Sequence, residues 1–287
     1  MDVGRITGTL KAFGTSAEVE IGGAKWCLCR NNFYFEFRCS VGGGANALWN
    51  CTARGKLNLF HGTSGKDSVV WSHSFNSLNT KDGYANYQSF FMPFYSAEIH
   101  FFAEVEVIKL HVIDFSPSPN RSIVSSEDGA WLQVDGEKLW LSKKVLSFHS
   151  SFFEAMFSGD FKENATGCYV LKGVDINDFK LFLSILYNMD IPVTTQRSLE
   201  GLLRLGDIWQ CEAVLRFCRD IVGKTDSNFL SLRTQIELCD HYGFWPLLTS
   251  IVEKAEVSNV KLVVRRGFCV QLSAFTSSVI MNRLAAE

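Results

Sequence analysis

Between residues 17 and 115 the apolar positions recur in short runs with a period near two. Residues 17–26 place Val19 and Ile21 ahead of a Gly22-Gly23 turn, and Phe33-Tyr34-Phe35-Glu36-Phe37-Arg38-Cys39 alternates in part between large apolar and polar side chains. Residues 48–53, 56–60, 68–75 and 88–93 supply further short runs. Residues 98–115 predict one or two long strands through Val105, Val107, Leu110, Val112 and Ile113. A period of two is the pitch at which a strand turns successive side chains to opposite faces. Glycine and asparagine cluster between the runs, notably at Gly42-Gly43-Gly44. Many short strands parted by such turns predict an antiparallel β-sandwich or barrel, with one face of each sheet buried and the other wet. Residues 1–16 form an N-terminal segment outside this pattern.

The pattern breaks at residues 116–127, where Pro117 and Pro119 stand among serines, as in a linker. A different periodicity follows. Two strand-like runs at 130–134 and 138–142 flank Asp135-Gly136, a dipeptide suited to a tight hairpin turn. Over residues 143–157 the apolar positions Val145, Leu146, Phe148, Phe152, Phe153, Met156 and Phe157 fall at the three- and four-residue spacing of an amphipathic helix. Ser150 is placed to cap a second helix that ends by Gly159. Residues 169–171 predict a third strand. Residues 175–186, starting on an Asp175 cap, 198–209 and 211–222 read as helices, which closes a domain at 128–222. A further helix pair, 227–242 and 244–255, is split at Gly243. In the C-terminal extension, 256–287, residues 260–264 look β-like, and residues 272–284 form either one more helix or a mobile tail.

Composition narrows the function classes. Of 287 residues, 47% are hydrophobic, enough to build cores, and the 24 phenylalanines suit cores first and interfaces second. The formal net charge of −2 and the lack of any long basic run argue against nucleic-acid binding. No stretch is long and apolar enough for a membrane-spanning helix. Residues 1–20 carry Asp2, Arg5, Lys11, Glu18 and Glu20 with no apolar core of a secretory leader. With nine scattered cysteines, the expectation is reduced, buried thiols in a cytoplasmic or nuclear protein.

Catalytic chemistry finds little support. Cys27 and Cys29 with Cys39 and Cys51 make a four-cysteine zinc site conceivable, but the first two share one strand face and the spacing is not that of a zinc knuckle. Buried thiols are the simpler reading. The histidines, including His149 near Ser151, form no metal or triad pattern, and Gly42-Gly43-Gly44 lacks the lysine and helix of a phosphate loop. Asp175, Asp178, Glu200 and Asp207 suit helix starts or solvated faces. No cofactor, metal or catalytic residue is expected, so the chain reads as a non-enzyme.

Residues 131–187 resemble the BTB (POZ) domain. The resemblance is carried by Leu132-Gln133-Val134-Asp135-Gly136, by Ser142-Lys143-Lys144-Val145-Leu146-Ser147-Phe148-His149-Ser150-Ser151-Phe152-Phe153, by Val170-Leu171-Lys172-Gly173-Val174-Asp175, and by Leu205-Gly206-Asp207-Ile208-Trp209. Ser142-Lys143 stands where the family usually has His-Lys or His-Arg, a form similar to that of nematode-type members. Val19-Glu20-Ile21-Gly22-Gly23-Ala24-Lys25-Trp26 and Trp49-Asn50-Cys51-Thr52-Ala53 resemble strands of the MATH (TRAF-like) sandwich.

The resemblance implies a multidomain chain: an N-terminal antiparallel β-sandwich of MATH/TRAF type over 17–115, a linker over 116–127, an α/β BTB/POZ fold over 128–222 and post-BTB helices over 223–255. It implies a substrate-recruiting adaptor of a cullin-3 RING ubiquitin ligase, in which the BTB domain forms a homodimer and binds the cullin. The MATH domain would hold a short peptide segment of a target. Phe161 and Glu163 match the family's cullin-contacting motif, with local packing of Phe161 as the competing reading, and Trp245 is a further candidate contact. Asp128, Leu146 and Phe148 are implied at the dimer interface. Tyr84, Tyr87, Phe90 and Phe91 are candidates for the substrate groove, where a one-residue slip would reverse the faces. A homodimeric scaffold without a ligase role is the alternative.

Overall fold

Backbone pairing gathers the N-terminal strands into two antiparallel sheets. One is four-stranded, in the order β1 (Asp2–Lys11), β11 (Glu98–Asp114), β6 (Ala47–His61) and β7 (Gly65–Asn76). The other is seven-stranded and runs β2 (Phe13–Thr15), β4 (Ala24–Asn31), β5 (Tyr34–Ser40), β9 (Tyr84–Asn86), β8 (Thr80–Lys81), with β3 (Val19–Ile21) on β4 and β10 (Phe90–Phe91) on β5. The computed structural model of the chain describes residues 2–42, 46–61, 65–81, 83–86, 89–92, 96–117, 123, 125–159, 166–224, 229–265 and 272–286.

The inner faces of the two sheets share one core. Trp26 meets Phe75 edge-on with centroids 5.0 Å apart, and Phe37 lies 4.6 Å from Trp71. Strand alternation selects these residues: Trp26 and Leu28 face inward on β4, as do Phe35, Phe37 and Cys39 on β5. The structure departs from the sequence pattern in two places. Runs 48–53 and 56–60 are one continuous strand, β6, and β1 and β2 lie ahead of residue 17, β1 paired along its length with β11 and β2 with β4. β11 is a single strand with a bulge between Val107 and Lys109.

The chain divides into two compact units. The first holds Met1–Ser142, Gly167–Gly173 and Asn188–Ile191, and so includes a three-stranded sheet as well as the sandwich. In that sheet β12 (Gly129–Val134) pairs antiparallel with β13 (Glu137–Ser142) and parallel with β14 (Cys168–Leu171). The β12–β13 turn is the expected one: Asp135 and Gly136 have φ of 48° and 85°, the doubly left-handed geometry of a type I′ turn. The amide of Trp140 donates to the carbonyl of Phe115 at 2.8 Å, and Asn50 Nδ2 donates to the carbonyl of Asp190 at 2.5 Å. The sandwich and the small sheet are therefore joined by backbone as well as by sequence.

The second unit is helical. It comprises α1 (Lys143–His149), α2 (Ser151–Ser158), α3 (Ile176–Leu186), α4 (Gln196–Ile208), α5 (Glu212–Val222), α6 (Leu232–His241), α7 (Trp245–Lys254), α8 (Val257–Arg265) and α9 (Ala274–Ala285). Ser150 caps α2 by accepting from the amide of Phe153, and Asp175 caps α3 through the amides of Asn177 and Asp178. Phe153, Phe179 and Phe182 surround Trp209 to form an aromatic core. Residues 260–264, expected as β, are helical, because Val260 and Val263 are buried three apart on one face of α8.

Asp240 docks α9. Its carboxylate accepts from the Ser273 amide at 3.0 Å, the Ser273 hydroxyl at 2.5 Å and the buried Thr276 hydroxyl at 2.5 Å. Burial opposes ionisation, but these three donors and nearby His241 hold the carboxyl below its usual range. A depressed carboxylate contributes stability that is complete above its unfolded value and is lost as the pH falls through its folded value. Docking of α9 is therefore expected to hold from neutral pH down to about pH 4 and to weaken below it. Amide hydrogen exchange in α9 checks this: protection lost at higher pH, with the rest of the fold intact, contradicts it.

Candidate functional site

Pairing register builds a continuous row across the outer face of the seven-stranded sheet. Phe13 on β2 is opposite Asn31 on β4, Asn31 opposite Tyr34 on β5, and Tyr34 opposite Phe91 on β10. Cross-strand partners share a face, so all four side chains point outward. Phe13 is 76% exposed, Phe91 59% and Tyr34 45%. The rings of Tyr34 and Phe91 lie 5.3 Å apart, and Phe33 comes within 6.3 Å of Phe91. Beyond this row the same face carries Thr15, Cys29 and Glu36, then Cys27 and Arg38. At its far end the phenol of Tyr84 donates to Glu18, which lies 3.9 Å from Lys25 Nζ.

The outer face of the four-stranded sheet has a different character. Arg54 there makes two contacts with Glu106, at 2.6 and 3.0 Å, and Arg5 lies 3.9 Å from Glu104. Such exposed pairs are a solvated surface and contribute little to stability. The aromatic row is the better binding surface, because rigid rings supply contact area at low entropic cost.

Of the expected groove residues, Tyr84 and Phe91 lie on this outer face. Phe90 does not: it is opposite Phe35 and packs against the sandwich core, so it is corrected to an inward residue by the alternation that turns Phe91 outward. Tyr87 lies outside the described residues. Phe13 and Tyr34 went unread because only the register brings them into one row with Phe91. The alternation of Phe33 to Cys39 was the one signal that could have shown Tyr34 and Arg38 on one face.

The cysteines are divided in the same way. Cys39 and Cys51 sit in the sandwich core, whereas Cys27 and Cys29 belong to the outer face of β4. The four cannot surround one zinc ion, and among the described residues no group of three or more His, Cys, Asp or Glu side chains is placed to hold a metal.

In the helical unit α1 presents Phe148, 85% exposed, while Leu146 is fully buried. Residues two apart on a helix point to opposite sides, so this helix offers Phe148 and not Leu146 to a partner. In the first unit Asp128 accepts from the Ser142 hydroxyl at 2.8 Å. Trp245, 38% exposed at the start of α7, packs edge-on against Phe275 of α9 at 5.3 Å. Phe161 and Glu163 lie outside the described residues.

The BTB/POZ domain family model matches residues 129–226, which run from β12 through α5. The chain carries a BTB/POZ domain. Its strands β12, β13 and β14 lie in the first unit and its helices α1 to α5 in the second. BTB and MATH domain-containing protein 15 of Caenorhabditis elegans is 29% identical over 143 residues, which is 49% of this chain and 51% of that protein. BTB and MATH domain-containing protein 38 of the same organism is 29% identical over 155 residues, 53% of this chain and 39% of its own length. Human Kelch repeat and BTB domain-containing protein 4 is 26% identical over 108 residues, 38% of this chain and 18% of that protein. The chain thus spans about half, or less, of the curated relatives it matches. A β-rich N-terminal region precedes the BTB/POZ domain and further helices follow it. The homology is consistent with a role in protein–protein interaction. Among the described residues no helix is long and apolar enough to cross a membrane.

Proposed function

We propose that this chain is a homodimeric, non-catalytic adaptor that recruits a target protein to a cullin-3 RING ubiquitin ligase, in the cytoplasm or nucleus. The observation that carries the reading is a BTB/POZ domain at 129–226 preceded by a sandwich with an exposed aromatic row. The sandwich is of MATH type in this reading. It holds a short peptide segment of the target along Phe13, Tyr34 and Phe91, with Tyr84 at the far end of the face.

The exposed Phe148 supports a two-fold dimer, because a large ring in water gains by burial and a two-fold contact buries both copies of it at once. Two weak peptide sites on one dimer raise avidity through effective concentration. Phe161 anchors the cullin in an apolar pocket, Glu163 orients it, and Trp245 extends the contact from α7.

Calorimetry of the purified chain against the cullin-3 N-terminal domain tests this. The expected dissociation constant is about 1 μM or tighter, a free energy of about −8 kcal/mol or better. F161A and E163A are each expected to weaken binding at least tenfold while remaining folded. A folded dimer that shows no binding would refute the ligase role and leave a homodimeric scaffold.

A further inference from the structure

Strand β7 is an outer strand of the four-stranded sheet, and among the described residues it pairs with β6 alone. Sheet edges are ordinarily guarded by short strands, charges, prolines or bulges. The opposite edge, β1, carries Asp2, Arg5 and Lys11 spaced along it. Most of β7 lacks such guards. It runs for 12 residues without proline, its register with β6 is unbroken, and Lys66 and Asp67 stand together near one end. Its middle is open to water. Val70 is 78% exposed, Ser68 and Ser72 are exposed, and Val69 is only half-buried although it shares the inward face of Trp71.

We infer that the outer edge of β7 is an interaction surface for a second copy of this chain, paired antiparallel about a two-fold axis at Val70. The sequence of β7 itself identifies the occupant. Such an axis sets each residue opposite the one equally far beyond it, and opposite residues share a face. On the outer face Val70 then meets Val70 of the copy, and Ser68 meets Ser72. On the inner face Val69 meets Trp71, Asp67 meets His73 and Gly65 meets Phe75. Apolar side chains face apolar ones, the carboxylate faces an imidazole, and the smallest residue faces a large ring. Axes at the neighbouring residues lack this fit. One at Val69 sets Asp67 against Trp71, and one at Trp71 sets Asp67 against Phe75 and indole against indole.

The pairing satisfies outward backbone groups of both strands and makes the two four-stranded sheets one continuous sheet. It is separate from the contact proposed at Phe148, and it rests neither on that contact nor on the target-binding reading.

Disulfide coupling of the full chain tests the register. Val70→Cys places the two new thiols about 5 Å apart at Cβ, within reach of a disulfide. Ser72→Cys places them about 14 Å apart along the strand. With diamide as the oxidant, and the wild-type chain setting the background of its native cysteines, Val70→Cys is expected to give covalent dimer about tenfold faster than Ser72→Cys. Adding Ser68→Glu and Ser72→Glu to Val70→Cys sets like charges opposite each other and is expected to slow coupling about threefold or more. Adding Ser68→Glu and Ser72→Lys instead sets opposite charges together and is expected to restore it. All positions changed are exposed, and far-ultraviolet circular dichroism should be unaltered. Coupling of Val70→Cys no faster than that of Ser72→Cys, or equal rates in the two charged variants, overturns the proposal.

Discussion

Trp209→Ala is expected to destabilise the helical unit by about 4 kcal/mol, within the range for emptying a large aromatic from a packed core. Trp209 is 3% exposed, and its ring lies 4.9 Å from Phe182, 5.1 Å from Phe153 and 5.6 Å from Phe179. These rings come from α2 and α3, so one side chain at the end of α4 closes the contact among three helices. Its carbonyl also accepts from the Ser150 hydroxyl at 2.5 Å, and Ser150 is the residue that caps α2. A cavity here would loosen the cap as well as the core. Ile208 supplies the control: it is adjacent in sequence but 58% exposed, and Ile208→Ala should change stability by no more than about 0.5 kcal/mol. Urea unfolding followed at 222 nm measures both. A Trp209→Ala loss below about 1 kcal/mol would contradict this account of the core.

Arg30→Ala should cost the sandwich about 3 kcal/mol. Arg30 is 3% exposed on the inner face of β4, where its Nε donates to the Asn32 carbonyl at 2.9 Å. Its Nη2 donates to the Ser96 carbonyl at 2.9 Å, and its Nη1 to the Leu10 carbonyl at 3.4 Å. The guanidinium also sits over the Phe35 ring, 5.7 Å from its centroid. Burial lowers the pKa of this cation, a sign that leaving water has a cost which the carbonyls and the ring offset. Truncation removes the donors from three carbonyls, that of Leu10 buried and those of Asn32 and Ser96 part-buried. Arg30→Met separates packing from hydrogen bonding, because it restores most of the volume without the donors. Thermal and urea unfolding should place it between wild type and Arg30→Ala; a Met variant as stable as wild type would assign Arg30 a packing role alone.

The hairpin at Asp135-Gly136, the caps at Ser150 and Asp175 and the helices α2 to α7 were legible in the sequence, because each rests on local chemistry. An Asp-Gly pair supplies two left-handed residues, a serine or aspartate caps the amides just after it, and apolar residues three and four apart define a helix face. The BTB resemblance rests on the same kind of local signal, which is why the match at 129–226 agrees with it. β1 was illegible for a converse reason. Its inner positions alternate Gly4, Ile6, Gly8 and Leu10, and glycine conceals a period of two. The glycines stand where Ile21 and Phe101 from other strands fill the space a Cβ would need. Residues 260–264 misled because local β propensity is weaker than the burial of Val260 and Val263 on a helix.

The sequence by itself therefore determined the succession of a β-rich region, a BTB/POZ domain and further helices, with several of their turns and caps. Tertiary structure alone decided which residues meet across strands. The outward row of Phe13, Tyr34 and Phe91, the inward turn of Phe90 and the placing of Cys29 opposite Thr15 all depend on pairing register. Register is set by long-range hydrogen bonding and core packing, and a shift of one residue would exchange every inward and outward side chain.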